Sequence, residues 1–154
     1  MMNAIQGTTR AKVNVKVGIV TSRFNWDITS KLESGAIEQL QSLGVTNANI
    51  VLVRVPGAVE IPLAAKALLD RGCAGVIALG AVIRGETSHY DYVCNSVERG
   101  ISQLMLETKK PVAFGVLTTE NEEQALDRIG GAHGHKGREA ADVVLEMINL
   151  LSDI

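Results

Sequence analysis

Gly80-Ala81-Val82-Ile83-Arg84-Gly85-Glu86-Thr87-Ser88-His89-Tyr90-Asp91-Tyr92 is the stretch on which the architecture turns. An apolar run over residues 74–83 stops at Arg84-Gly85, and His89 opens a segment with apolar residues three and four apart. A strand that turns at a glycine and feeds a helix leaves unpaired backbone N–H groups at one point. Thr87 and Ser88 add hydroxyls and cap-like side chains there. Such a point attracts an oxyanion, usually phosphate, and a histidine beside it carries protons near neutral pH. The stretch therefore suggests chemistry on a small phosphorylated molecule.

Working outward, the same strand-then-helix unit repeats on both sides. Apolar, β-branched runs at residues 13–21, 49–55, 75–81 and 112–118 predict four strands. Helical spacing follows each of them. It is marked by Ile28, Leu32, Ile37 and Leu40, then by Ile61, Ala65, Leu68 and Leu69, then by Tyr92, Val93, Val97, Ile101, Leu104 and Met105. The fourth helical segment is split into residues 120–129 and 136–151 by a glycine-rich break. Gly44 and Gly72 mark helix ends, and Pro62 sits where only a first turn tolerates it. The alternation predicts an α/β fold, a three-layer α/β/α sandwich with a four-stranded parallel sheet, flavodoxin-like in layout, with right-handed crossovers. Residues 13–154 read as one domain without linker or repeat. Residues 1–12 read as an extended, poorly anchored arm. A four-stranded sheet has two edges that need cover, and the arm around Ile5 is expected to add to a neighbour's sheet.

Composition narrows the function classes. A chain of 154 residues holds one domain with a real core. Hydrophobic residues make up 46% but include only one Trp, two Tyr and two Phe, so Ala, Val, Ile and Leu carry the burial. That pattern suits helices packed on a parallel sheet. A mean hydropathy of +0.16 is high enough that part of this surface is expected between subunits. A formal charge of −2 gives no basic field, which argues against nucleic acid and anionic membranes as partners. Cys73 and Cys94 form no metal-type pair and read as reduced cysteines of a cytosolic protein. Residues 1–16 lack the apolar core of a signal peptide, and no stretch reaches the ~20 apolar residues of a membrane span. The expectation is a soluble cytoplasmic protein.

In open parallel sheets ligands bind beyond the carboxyl ends of the strands. Three such loops carry unusual residues: Ser22-Arg23-Phe24-Asn25-Trp26, Val55-Pro56-Gly57-Ala58-Val59-Glu60, and Val82 through His89. They offer an aromatic platform, a carboxylate at a helix start, and an anion-binding turn with a histidine. Glu60 is either a ligand contact or a favourable partner of the helix dipole. Phe24, beside Asn25 and Trp26 in a polar loop, reads as a stacking surface rather than a core residue. His89 has three readings. It is a metal ligand, though nothing at ligand spacing accompanies it, a helix-start residue without a role, or a general acid/base beside phosphate. Phe114, near the start of its strand, should lie away from the carboxyl-end loops of its own subunit and serve an adjacent one. Arg128 ends a helix, where a cation is favoured in any case.

At these residues the chain resembles the lumazine synthase family, which performs the penultimate step of riboflavin biosynthesis. The resemblance runs from about Ile5 to Leu151. It rests on Arg23-Phe24-Asn25, Val55-Pro56-Gly57-Ala58-Val59-Glu60-Ile61-Pro62, Gly80 through His89, Phe114-Gly115-Val116-Leu117-Thr118-Thr119-Glu120, and His135-Lys136-Gly137. It implies condensation of 5-amino-6-(D-ribitylamino)uracil with 3,4-dihydroxy-2-butanone 4-phosphate, giving 6,7-dimethyl-8-ribityllumazine, phosphate and water, without cofactor or metal. It implies Phe24 stacked on the pyrimidine, and Ala58, Val59, Glu60, Ala81, Val82 and Ile83 around it, with Glu60 near the ribityl hydroxyls. Gly85, Glu86 and Thr87 would hold the phosphate through the turn, Arg128 would supply positive charge, and His89 would carry protons. Phe114, Arg128 and Lys136 would come from the neighbouring subunit. The family assembles as pentamers, some members as sixty-subunit shells, with possible association with riboflavin synthase. The late loop departs from a family version reading Ala-Gly-Asn-Lys-Gly. Here it is His133-Gly134-His135-Lys136-Gly137, which bears on the placement of Lys136 and on assembly. Competing readings are a catalytically silent shell-forming or flavin-binding scaffold, a flavodoxin-like electron-transfer module, and the archaeal type of riboflavin synthase.

Overall fold

A parallel strand covered on both faces must be apolar at nearly every position, and β1 (Val17–Ser22) is buried throughout. The computed structural model describes residues 1–154. After β1 come α1 (Trp26–Ser42), β2 (Ile50–Val55), α2 (Ile61–Asp70), β3 (Gly75–Ile83), α3 (His89–Thr108) and β4 (Val112–Thr119). A short α4 (Glu122–Leu126), the strands β5 (Ile129–Gly131) and β6 (Gly134–His135), and α5 (Lys136–Asp153) complete the chain. The four long strands are parallel in the order β2-β1-β3-β4. The chain leaves β1 toward one edge and then crosses to build the other. The order therefore reverses between β1 and β3, which opens a crevice at their carboxyl ends.

Alternate side chains feed two cores. Val17 and Ile19 of β1 with Ile77 and Leu79 of β3 meet Leu32 and Leu40 of α1 and Val144 and Leu145 of α5. Val20, Val76 and Ala78 point the other way, into Ile61, Ala65 and Leu68 of α2 and Val97 and Ile101 of α3. The result is the predicted three-layer α/β/α sandwich. Gly44 and Gly72 follow the ends of α1 and α2 with φ of 103° and 106°, as their positions in the sequence predict.

Three local expectations change. The apolar pattern starts the first strand at Val13, but β1 begins at Val17. Val13 is 91% exposed, and the Val15 amide donates to Lys12 across a turn that includes Asn14 at φ 61°. The N-terminal arm is not loose along its whole length. Asn149 Nδ2 on α5 donates to the carbonyls of Thr8 and Arg10 at 2.7 and 2.9 Å, and the Ala11 amide donates to Leu43. Gly7 is buried against α5, while residues 1–6 before it are exposed, Ile5 among them. The segment predicted helical over residues 120–129 folds as α4 alone. Beyond α4 the chain forms an antiparallel ribbon in which Ile129 pairs with His135, rather than a plain break.

Candidate active site

The crevice between β1 and β3 holds a cleft of about 450 Å³. Its walls are Phe24 from the loop after β1, Pro56 to Glu60 after β2, and Ala81, Val82 and Ile83 at the end of β3. Its mouth is Gly85, Thr87 and His89. Each wall is set by backbone pairing. The Arg23 and Phe24 amides donate to Val55 and Pro56 at 2.8 and 3.1 Å, so this loop runs on beside β2 past the sheet. That presents the Phe24 ring, 70% exposed, to the cleft.

Asn25 then reverses the chain. It holds φ 60° and ψ 47°, a left-handed conformation that asparagine tolerates better than most residues. Its carbonyl accepts from Ile28 and Thr29 to begin α1, and its Nδ2 donates to the Ala81 carbonyl at 2.9 Å. Asn25 thus ties the Phe24 wall to the β3 wall. Trp26 does not extend the aromatic platform. Its ring carries the Arg54 guanidinium 4.9 Å from its centroid, and Arg54 grips the buried Glu33 carboxylate through Nε at 3.1 Å and Nη2 at 2.7 Å.

Glu60 closes a 3₁₀ turn (Ala58–Glu60) at the start of α2, and its side chain makes no cap hydrogen bond. It therefore lines the cleft with both oxygens available to a ligand, while also occupying the dipole-favoured position.

The turn at the mouth has a simple hydrogen-bond account. None of the backbone amides of Gly85, Glu86, Thr87 and Ser88 finds an acceptor in the protein. The Ser88 side chain, expected to cap α3, makes no cap bond; only Thr87 Oγ1 accepts, from the His89 amide at 3.3 Å. Four orphan donors precede the positive end of a 20-residue helix, and His89 is exposed beside them. The Glu86 side chain is not part of the cleft wall, so this residue can offer only its amide to an anion.

Arg84 lies next to the turn yet is not free to bind an anion. Its Nε donates to Glu120 at 2.6 Å and its Nη2 to Asp91 at 3.3 Å, and its guanidinium lies 4.3 Å from the Tyr90 ring centroid. It joins the ends of β3 and β4 to the first turn of α3 and so fixes the turn from behind. Local sequence assigns no part to Arg84, Asn25 or Arg54. Their partners lie 36, 56 and 21 residues away, and only the placement of Asn25 at a helix start hints at a role. Burial pushes the thiols of Cys73 and Cys94 above their ordinary value, which disfavours either as a nucleophile. No group of three or more His, Cys, Asp or Glu side chains is placed to hold a metal ion, and no helix is long and apolar enough to cross a membrane.

Phe114, Arg128 and Lys136 do not join this cleft. With His133 they line a separate hollow of about 430 Å³ against the edge strand β4, and the two concavities share no residue. Arg128 Nη1 donates to the Gln124 carbonyl at 2.7 Å, so the arginine does compensate the end of α4. The Lys136 amide donates to the Arg128 carbonyl at 2.8 Å, which fixes the two residues to each other.

The sequence profile of the family described as 6,7-dimethyl-8-ribityllumazine synthase matches residues 14–152. The chain belongs to this family. A relative from Bdellovibrio bacteriovorus (strain HD100), itself described as 6,7-dimethyl-8-ribityllumazine synthase, is 63% identical over 140 residues, 91% of this chain and 77% of the relative. The match spans both concavities of this lumazine synthase family member, from the Phe24 wall to the Lys136 hollow.

Proposed function

We infer that the chain condenses 5-amino-6-(D-ribitylamino)uracil with 3,4-dihydroxy-2-butanone 4-phosphate to 6,7-dimethyl-8-ribityllumazine, phosphate and water. One observation carries the assignment of the site. Four unpaired amides and an exposed imidazole converge at the mouth of a cleft walled by Phe24 and Glu60. A phosphorylated ketone held by those amides places its carbonyl toward the cleft, where a stacked pyrimidine presents its amine.

The reaction needs positioning and proton transfer. The 5-amine adds to the ketone, and water leaves as the imine forms. Loss of a proton from carbon then drives out phosphate, and the second amine closes the ring with loss of a second water. Each step moves a proton, and His89 is the acid/base side chain at the mouth of the cleft. The amides of residues 85–88 gather the phosphate charge as the C–O bond breaks, so they stabilise the leaving group. Phe24 and Glu60 hold the pyrimidine and its ribityl chain, which turns a bimolecular encounter into a local one.

On this reading Phe114, Arg128 and Lys136 belong to the site of an adjacent protomer. Their separation from the His89 cleft within one chain supports it. A homopentamer, a sixty-subunit shell, association with riboflavin synthase, cytoplasmic residence, and an arm before Gly7 laid on a neighbour's sheet edge belong to the same proposal. Incubation of the purified protein with both substrates should produce the fluorescence of the lumazine. A protein of native mass that yields none would overturn the assignment.

A further inference from the structure

The motif His135-Lys136-Gly137 opens α5, and its two outer residues face α1. A methyl built on Gly137 would overlap the Leu32 carbonyl group, its carbon 3.0 Å away, so the start of α5 lies directly on the α1 backbone. A methyl built on Gly35 would overlap the His135 ring, with Nδ1 2.8 Å away and Cε1 and Nε2 closer still. The ring therefore fills a notch that only glycine leaves in α1. His135 Nδ1 accepts from the Arg138 amide at 3.3 Å as the cap of α5. An Nδ1 that accepts carries no proton, so this cap belongs to the neutral ring with its proton on Nε2. Between these two fixed residues sits Lys136, in the hollow with Arg128.

We propose that His135 is a positioning residue for the condensation, its neutral ring pinning the start of α5 to α1 and so holding Lys136 and Arg128 in their hollow. The proposal rests on the reading that these two residues serve a substrate. Protonation at Nδ1 removes the cap acceptor and sets a cation at the positive end of α5. The charged groups on the surrounding elements are Lys31 and Glu38 of α1, Arg138 and Glu139 of α5, and Asp127 and Arg128 ahead of β5. Arg138 is paired with Glu38 and also donates to Gln39 Oε1, so it is held beside the ring. Burial pushes the imidazole below its ordinary value of 6.5, and Arg138 pushes the same way. The unfolded chain thus takes up this proton before the folded one does. The stability due to neutral His135 is complete above about pH 6.5 and is lost as pH falls below it.

Kinetics of His135→Ala and His135→Asn with each substrate, and thermal unfolding of the same proteins between about pH 5 and 8, test this. His135→Ala should raise KM for one or both substrates about 10-fold, with a smaller change in kcat, because the hollow is displaced rather than its chemistry removed. Asparagine caps well through its side-chain oxygen, so His135→Asn should restore KM to within about threefold of the parent. The unfolding midpoint of His135→Asn should also fall less steeply in acid than that of the parent. Parallel acid profiles overturn the neutral-ring claim. Unchanged KM in His135→Ala, where Lys136→Ala and Arg128→Ala raise it, overturns the positioning role alone. No effect in Lys136→Ala or Arg128→Ala overturns the assignment of the hollow, and the positioning role with it. Should His135→Ala fail to fold, His135→Asn decides the matter through its acid profile.

Discussion

Gly35→Ala sets a local rule against a tertiary one. Inside a helix alanine is favoured over glycine by about 1 kcal/mol. Gly35 lies within α1 and is buried, and the added methyl meets the His135 ring. Two relaxations are open. If the ring stays, crowding costs about 1–3 kcal/mol. If it swings out, α5 loses a cap worth about 1 kcal/mol and the ring gives up packing on α1 worth about 1 more. Either cost matches or exceeds the propensity gain, so Gly35→Ala should lower stability by about 1 kcal/mol. In a His135→Asn background the ring is gone while the cap remains. There the same substitution should be neutral or stabilising by up to about 1 kcal/mol. The double-mutant cycle should accordingly show a coupling of about 2 kcal/mol. Urea unfolding of the four proteins at one protein concentration, fitted with a common slope, measures it. A stabilising Gly35→Ala in the parent, or additive effects across the cycle, would refute the packing argument.

Two other substitutions probe the cleft. His89→Ala should slow turnover about 10- to 1000-fold without abolishing it, since positioning supplies much of the rate; unchanged steady-state rates would contradict the proton-carrying role. Asn25→Ala removes the tie to Ala81 and places a less tolerant residue in the left-handed region. It should raise KM for the pyrimidine more than for the phosphorylated ketone, and an equal rise in both would count against Asn25 as the brace of the Phe24 wall.

Much of this structure is legible in local sequence. The strands and helices announce themselves because each buries a regular face, and Gly44, Gly72 and Pro62 fall where helix ends require them. The cleft is legible because its residues follow strand ends, where a parallel sheet must place a ligand. The features that escape the sequence are held by long-range partners. The arm is anchored by Asn149, some 140 residues distant, so nothing near Thr8 reveals it. Arg84 shows no role in the local sequence, because Glu120, the carboxylate its Nε holds, lies 36 residues away. Trp26 looks like a stacking platform until Arg54 covers it. The break around His133 hides a ribbon because two short strands carry too little pattern to read.

The absence of any common residue between the His89 cleft and the Lys136 hollow has a genetic consequence. If neighbouring protomers complete one another's sites, two inactive alleles damaged on opposite sides should complement. Mixed rings of His89→Ala and Lys136→Ala chains in equal amounts would contain undamaged junctions at about one position in four, by random pairing around a closed ring. Activity regained on co-assembly, from parents that have little alone, would show that the inherited unit of function is the contact between chains.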